Sequence, residues 1–320
     1  MKKSPITFLI PAFNVEQHLK SCLEGIYSQT FTNFKALIIN DGSTDGTEET
    51  LRQINDSRFC VIHRKKNMGY IYCLNLGLAL IKTKYTARLD ADDIPMPRRL
   101  ENQISFLEKN PEVSVVGSRM AYIYGAKQIF GIRLFGKQII PSFCPRMSER
   151  PFWNPAIDGE TIPHSSATFR TGQIRKAGGY RKLYPAEDMD LWYRLAAEGK
   201  KLACLPEILT LYRINPQGAT SSALFRQAMI TEFVKRSLYL RTQNKSMADF
   251  KKFSKCFQLS PSAAKTLKLK SNLRRAMGSL LNQRYIPAIW IFLGAAFFSP
   301  AALFAKIKSR FFINDPRRNS

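Results

Sequence analysis

The sequence is poor in the residues that build nitrogen- and sulfur-ligated metal centres. It has three histidines, and its six cysteines (Cys22, Cys60, Cys73, Cys144, Cys204 and Cys256) are scattered singly. No CxxC and no Cys/His ligand spacing occurs, which argues against a zinc site or a dithiol redox motif. Cys22, Cys60, Cys73 and Cys204 fall among apolar residues and read as small core fillers. The opening MKKSPITFLIPAFN has two lysines and an apolar run broken by Pro11, too short for the core of a signal peptide, so a reducing cytoplasmic setting is expected. Internal repeats and low-complexity segments are absent. Acid is scarce in one region: Ser221–Ser320 carries 19 Lys and Arg against Glu232, Asp249 and Asp315, a balance of +16 within a total of +25. A segment so short of acid is expected to meet an anionic surface.

With 320 residues, 45% hydrophobic and 12% aromatic, the chain is long and apolar enough for one large domain with an extension, or for two domains. Ile6–Phe13 is an apolar run of strand length, of the kind buried on both faces of a parallel sheet, with Pro11 expected at its end. Further strands are expected at Phe34–Ile39, Phe59–His63, Tyr85–Leu89 and Val113–Ser118. Helices are expected at Glu16–Ser28, Thr47–Ile54, Tyr70–Ile81 and Pro97–Lys109. This alternation predicts a parallel α/β sheet with right-handed crossovers, in which ligands bind beyond the carboxyl ends of the strands. Phe13-Asn14, Asp41–Asp45 and Asp90–Asp93 all lie at that edge. The pattern loosens over Ala121–Glu160. It returns with a strand at Pro163–Arg170, a short helix at Thr171–Ala177 and an acid-led helix from Glu187. A strand pair around Pro206 then covers Lys201–Arg213. The polar stretch Asn215–Ser222 suggests a boundary between a domain at 1–220 and a mainly helical extension at 221–320.

The chain is organised around Tyr85–Asp93, YTARLDADD, a strand that runs straight into Asp90, Asp92 and Asp93. Three acids within four residues repel one another. A hard divalent cation such as Mg²⁺ or Mn²⁺ would compensate them. Alternatively, one of them caps the helix beginning near Pro97, which accounts for one aspartate and not for three. Asp45 in GSTDG is explained by turn chemistry alone. Trp192 and Leu195 read as core.

The ordered set PAFN, NDGSTDGT, NMGY, ARLDADD, PHSSATFR, GGYRKLYPAEDMDLWYRLAAEG and LPEILTLYRIN resembles the family 2 glycosyltransferases over about residues 6–215. The resemblance implies the nucleotide-diphospho-sugar transferase fold called GT-A, a Rossmann-like, mostly parallel sheet flanked by helices. It implies inverting transfer of a sugar from a nucleoside-diphospho-sugar, a UDP-sugar being expected, to a hydroxyl of a glycan or lipid-linked acceptor in cell-surface polysaccharide or lipopolysaccharide synthesis. Pro11, Phe13, Asn14 and Asp41 would line the nucleoside pocket, with Asn67, Gly69 and Arg88 near the nucleotide. Asp90 and Asp92 match the DxD motif, with Asp92 holding Mn²⁺ or Mg²⁺ and Asp90 beside it. Asp188 is the implied general base with Glu187 next to it. His164 and Arg213 resemble acceptor-side or diphosphate-side positions. Two positions depart from the pattern: Asn40 replaces an acid often found before Asp41, and Asn215 replaces a histidine after Arg213.

Tyr285–Ala305 runs 21 residues without a charge, a length sufficient to span a membrane. Pro300 divides it and both flanks are basic, so an interfacial or re-entrant helical pair on the anionic cytoplasmic leaflet is expected. The competing arrangement is a helix pair packed on the catalytic domain. The chain has no QxxRW motif, which argues against a processive synthase with its own channel. A sugar nucleotidyltransferase would carry a Gly-rich loop after its first strand, and PAFNVE has no glycine. A nucleic-acid-binding protein would interleave its basic residues with stacking aromatics over the domain face, whereas here they flank an apolar run. The partners expected are therefore a nucleoside-diphospho-sugar, a glycan or lipid-linked acceptor and an anionic membrane surface, with no nucleic acid. The expected location is peripheral, on the cytoplasmic face of the plasma membrane.

Overall fold

The computed structural model describes residues 4–124, 127–128, 132–134, 137–139, 142–143, 162–213, 224–242 and 250–258. The elements run in the order β1 (Ile6–Ala12), α1 (Glu16–Tyr27), β2 (Phe34–Asn40), α2 (Thr47–Arg52), β3 (Phe59–His63), α3 (Tyr70–Leu80), β4 (Tyr85–Arg88), β5 (Ile94–Pro95), α4 (Arg99–Lys109) and β6 (Val113–Tyr124). Four short strands come next: β7 (Lys127–Gln128), β8 (Ile132–Leu134), β9 (Lys137–Ile139) and β10 (Ser142–Phe143). Then come β11 (Thr168–Arg170), α5 (Thr171–Lys176), α6 (Glu187–Ala197), β12 (Lys201–Arg213), α7 (Leu224–Thr242) and α8 (Phe250–Cys256).

The main sheet has the strand order β3-β2-β1-β4-β11-β6-β12-β5, with β7 and β10 added to β6; β8 and β9 pair separately. Strands β1 to β4 are parallel and β12 is parallel to β6, whereas β11 runs antiparallel to both of its neighbours. The sheet is thus the mostly parallel one expected. Strand β1 is buried throughout and its side chains alternate between two apolar layers, as the two-residue period of a strand requires. Leu9 joins Leu37, Leu74, Phe169 and Trp192 on one face, while Phe8 and Ile10 join Leu19, Ile26 and Leu107 on the other. Helix α3 approaches β1 so closely that a Cβ on Gly77 would stand 2.1 Å from Leu9 Cδ1. Pro11 is tolerated because the β1–β4 register ends at Leu9 opposite Arg88, before the missing donor matters.

Three local expectations are corrected. Residues 163–170 are not one strand: Ser166 bonds back to the Pro163 carbonyl through both its N–H (3.0 Å) and its hydroxyl (2.9 Å), making a 3₁₀ turn at His164–Ser166 before β11. Lys201–Arg213 is one strand, because a register shift between Leu205 and Ile208 absorbs Pro206 as a bulge. Cys60 is exposed, since β3 is the edge strand, whereas Cys22, Cys73 and Cys204 are buried. Trp192 and Leu195 are core residues.

Helix α7 buries Met229, Ile230 and Val234, the last two within the same apolar layer as Trp192. Helix α8 sets Phe250 and Phe253 against Phe233, with ring centroids 5.1 and 5.4 Å apart. Residues 285–305 and Asn215 lie outside the described residues. Among the described residues no helix is long and apolar enough to cross a membrane.

Candidate active site

The carboxyl ends of β1, β2 and β4 lie side by side, and the loops that leave β1 and β2 brace each other. Asn14, at φ 51°, accepts the Thr44 N–H at 2.8 Å, and its own N–H donates to Ser43 Oγ at 3.1 Å. The fully buried Asn40 accepts the Ser43 hydroxyl at 2.6 Å and contacts His63 Nδ1 at 3.3 Å. The amide in place of an acid therefore anchors the turn without a buried charge. Asp45 accepts the N–H groups of Glu16 and Thr47, both at 3.1 Å, and these bonds outweigh its burial, so its pKa lies below the usual value. It is a turn residue, as its setting in GSTDG predicts.

Asp41 is 3% exposed and accepts the N–H of Met68 at 2.9 Å through one oxygen and of Gly69 at 2.8 Å through the other. It thereby staples the exposed Lys65–Met68 segment over the end of β2, with Gly69 at φ 92° turning the chain into α3. A side chain on Gly42 (φ 70°) would meet the Lys66 carbonyl carbon at 2.8 Å, so that glycine is required for the two loops to pack. Pro11 is buried, Phe13 is 45% exposed beyond the end of β1, and Asn67 is exposed on the stapled loop.

The acid turn divides its three aspartates. None of them caps α4: its N-cap is Arg98, with no side-chain cap bond. Asp93 is fully buried and accepts the backbone N–H of Arg213 at 2.8 Å; burial, then the charges of Asp92 and Asp90, raise its pKa well above the usual carboxylate value. Asp92 is partly exposed, and burial followed by repulsion from Asp90 raises its pKa to about 6. The Asp90 side chain is 30% exposed, and its Oδ1 takes a hydrogen bond from Arg88 and one from the Tyr70 hydroxyl at 3.4 Å. Arg88 is wholly buried, with the Tyr70 ring 5.2 Å from its guanidinium carbon. Its Nε and Nη1 have no hydrogen-bond partner. Beneath the turn the buried Arg99 donates to the carbonyls of Ser165 at 2.8 Å and Arg88 at 2.5 Å, and Ser165 Oγ in turn accepts the Asp90 N–H at 3.0 Å.

Opposite the turn, α6 begins at Glu187 behind an N-cap alanine that offers no side-chain oxygen. Glu187, Asp188 and Asp190 all fall in its first turn, where the helix dipole favours negative charge. Asp188 is partly exposed and accepts the Met189 N–H at 2.7 Å; Glu187 is 5% exposed with Oε2 unpartnered. Burial is the first cause of the upward shift in both, to about 6 for Asp188 and, with the added repulsion of Asp188, to about 8 for Glu187. Both shifts run in the same direction, so this end of the helix holds its protons more tightly than ordinary carboxylates do, and Glu187 more tightly than Asp188. Behind Glu187 lies His164, walled by Tyr70, Tyr180 and Trp192 and 3.8 Å from Glu187 Oε1. Burial and the neighbouring Arg88 hold its pKa well below the ordinary histidine value.

The structure therefore links Asp90, Arg88, His164 and Glu187 through Tyr70 in one connected group, with Asp92 and Asp188 next to its two ends. Arg213 clasps the acid turn: its Nε donates to the Asp92 carbonyl at 2.8 Å and its Nη2 to Ser21 Oγ at 3.2 Å. Sequence reasoning missed Tyr70, Tyr180 and Ser165. Tyr70 and Tyr180 each directly follow a positive-φ glycine, Gly69 and Gly179, a pattern that marks a turn without saying what the ring does. The carboxylate pair fits a hard divalent cation, because both acids offer only oxygen and Asp90 and Asp92 repel each other. Among the described residues no cluster of three or more His, Cys, Asp or Glu is placed to hold a metal, so the remaining ligands would come from phosphate and water.

The profile described as glycosyl transferase family 2 matches residues 7–172. An uncharacterized glycosyltransferase of Haemophilus influenzae is 31% identical over 259 residues, 77% of this chain and 76% of its own length. The amylovoran biosynthesis glycosyltransferase AmsE of Erwinia amylovora is 30% identical, over 64% of this chain and 74% of its own. Among solved structures, the mannosyltransferase PcManGT of Pyrobaculum calidifontis, in complex with GDP-Man and Mn²⁺, superposes with a TM-score of 0.56 at 16% identity, covering 95% of this chain and 79% of the other. TarS 1-349 of S. aureus, in complex with UDP-GlcNAc, gives 0.59 at 14% identity, covering 97% and 93%. The two superpositions identify the fold as GT-A.

Proposed function

The chain belongs to glycosyltransferase family 2, and on that premise we propose that it moves a sugar from a nucleoside-diphospho-sugar to a hydroxyl of a glycan or lipid-linked acceptor during cell-surface polysaccharide or lipopolysaccharide synthesis, with inversion at the anomeric carbon. The observation that carries this reading is the linkage of two carboxylate pairs: Asp90 accepts from the buried Arg88 and from Tyr70, Tyr70 contacts His164, and His164 lies 3.8 Å from Glu187, which adjoins Asp188. Asp188 takes the proton of the acceptor hydroxyl, whose oxygen then bonds to the anomeric carbon as the bond from that carbon to the diphosphate breaks. The base and the leaving group lie on opposite faces of the sugar, so the centre inverts. Burial and the adjacent Asp188 disfavour a charge on Glu187, which limits repulsion next to the base.

Asp92 and Asp90 would hold Mn²⁺ or Mg²⁺, which when bound supplies Lewis-acid stabilisation of the departing diphosphate. Pro11, Phe13 and Asn14 form one wall of the nucleoside pocket, and Asp41 forms another by fixing the loop that carries Asn67 and Gly69. UDP is the favoured carrier. Arg213 acts on the diphosphate side by holding the acid turn, and His164 stands on the acceptor side. The acceptor reading draws on the relative in amylovoran biosynthesis and on the basic residues 221–320. That charge, with the exposed Lys252 and Lys255 of α8, suits peripheral attachment to the anionic cytoplasmic leaflet. The test is to offer the purified protein UDP-, GDP- and dTDP-sugars with Mn²⁺ and monitor nucleoside diphosphate release. Release from one donor class, abolished by chelator, is expected. Release that is untouched by excess chelator removes the cation from the mechanism, and no release from any donor, with or without acceptor lipid extract, overturns the donor reading.

A further inference from the structure

Tyr180, His164, Tyr70 and Asp90 form an unbroken line of contacts: Tyr180 Oη to His164 Nε2 at 2.9 Å, His164 Nδ1 to Tyr70 Oη at 3.2 Å and Tyr70 Oη to Asp90 Oδ1 at 3.4 Å. Hydrogen-bond chemistry gives this line one direction. Asp90 Oδ1 accepts from both Arg88 and Tyr70, so Tyr70 spends its single proton there. Tyr70 must then accept from His164, which requires the proton to be on Nδ1. A neutral imidazole protonated at Nδ1 has only an acceptor left at Nε2, so Tyr180 donates to it. Every group donates once, and the order is Tyr180 to His164 to Tyr70 to Asp90. The rest of the setting agrees. Glu187 Oε1 faces the same Nδ1 at 3.8 Å, and Trp192 meets the imidazole edge-on at 6.2 Å. Burial, and then the nearby guanidinium of Arg88, disfavour a charged imidazole. Tyr180 is 3% exposed, too deep to touch a substrate at the cleft mouth.

We propose that Tyr180, His164 and Tyr70 are positioning residues that act as one hydrogen-bonded chain, fixing Asp90 so that Oδ1 is spent on Tyr70 and Arg88 and Oδ2 is presented to the cation and diphosphate. The chain starts beside the Glu187–Asp188 helix and ends on the acid turn, so it ties the acceptor half of the cleft to the donor half. The proposal rests on the assignment of Asp90 to the donor side. Donors that bond to a metal-binding carboxylate set its orientation, and losing one commonly costs about 10–100-fold in metal affinity.

The chain is tested with Tyr70→Phe, Tyr180→Phe and the double variant, which keep the rings and their packing. Calorimetry measures Mn²⁺-dependent binding of whichever of UDP and GDP the wild type takes, and kinetics measure the half-saturating Mn²⁺. Tyr70→Phe is expected to weaken binding about tenfold and Tyr180→Phe about threefold, with more of the loss in half-saturating Mn²⁺ than in kcat. The double variant should be no weaker than Tyr70→Phe, because a chain cut at one link has nothing further to lose. Additive losses, or none, overturn the proposal. Nitrogen NMR of the His164 ring supplies an independent readout, with a neutral ring protonated at Nδ1 expected. A proton on Nε2, or a charged ring, overturns the chain whatever the binding data say. If wild-type nucleotide binding is indifferent to Mn²⁺, the donor-side assignment of Asp90 falls, and the chain is then decided by the tautomer alone.

Discussion

The backbone N–H of Arg213 donates to Oδ1 of Asp93 at 2.8 Å, joining two residues 120 positions apart at the heart of the acid turn. The last strand of the sheet is thereby clasped to the loop after β4, and the Arg213 side chain adds a second tie to the Asp92 carbonyl. Asp93→Ala removes the Oδ1 acceptor of this buried N–H and is expected to cost about 2–3 kcal/mol of stability by urea denaturation. Asp93→Asn keeps the accepting oxygen, and because the native carboxyl is already pushed strongly toward its neutral form, it should cost less than about 1 kcal/mol. Equal losses in the two variants would remove this role.

Asp92 should behave in the opposite way. Its charge is held against burial and against Asp90, so Asp92→Asn relieves strain in the folded protein and its melting temperature at pH 7 should not fall. Transfer activity should nevertheless drop by about 100-fold or more, the scale on which removing a charge-stabilising group acts. A variant that melts early, or that retains full activity, contradicts the division of the turn into a structural and a functional acid.

A base with its pKa raised to about 6 predicts an acid limb in the pH–rate profile near that value. Activity should rise as pH increases through 6, because Asp188 accepts a proton only once ionised. Asp188→Asn should lose about 10²–10⁴-fold in kcat while still binding the nucleotide-sugar, measured by calorimetry. A limb near pH 4 would mean that Asp188 is more open to water than its setting implies.

Much of the architecture was legible from the sequence because the parallel strands are apolar runs punctuated by turn chemistry. Ile6–Ala12 needs burial on both faces, and the Gly- and Asp-rich run Asp41–Gly46 marks a turn. The carboxylates were legible because unlike most polar residues they came clustered. Residues whose role depends on distant partners were not. Asp41 reads as a ligand-facing acid, yet both of its oxygens hold backbone N–H groups 27 and 28 residues away. Tyr70 and Tyr180 carry no local signature, since 94 and 16 residues separate them from the histidine they share. The bulge that carries Pro206 through β12 depends on β6, which periodicity cannot supply.

Glu187 separates function from stability. Its pKa in the folded protein is about 8 against an ordinary 4.5, because burial and the adjacent Asp188 disfavour its charge. The folded protein therefore holds this proton more tightly than the unfolded chain does. The resulting stabilisation is complete below about pH 4.5 and is lost progressively as pH rises through about 8. Glu187→Gln imitates the protonated acid at every pH. It should match the wild type near pH 4.5 and become the more stable of the two as pH rises, by on the order of 1–3 kcal/mol at pH 9. Thermal denaturation across this range checks the trend. A constant difference between the two proteins would show that Glu187 ionises normally and that its burial is offset by a partner, which would also free it to compete with Asp188 as the base.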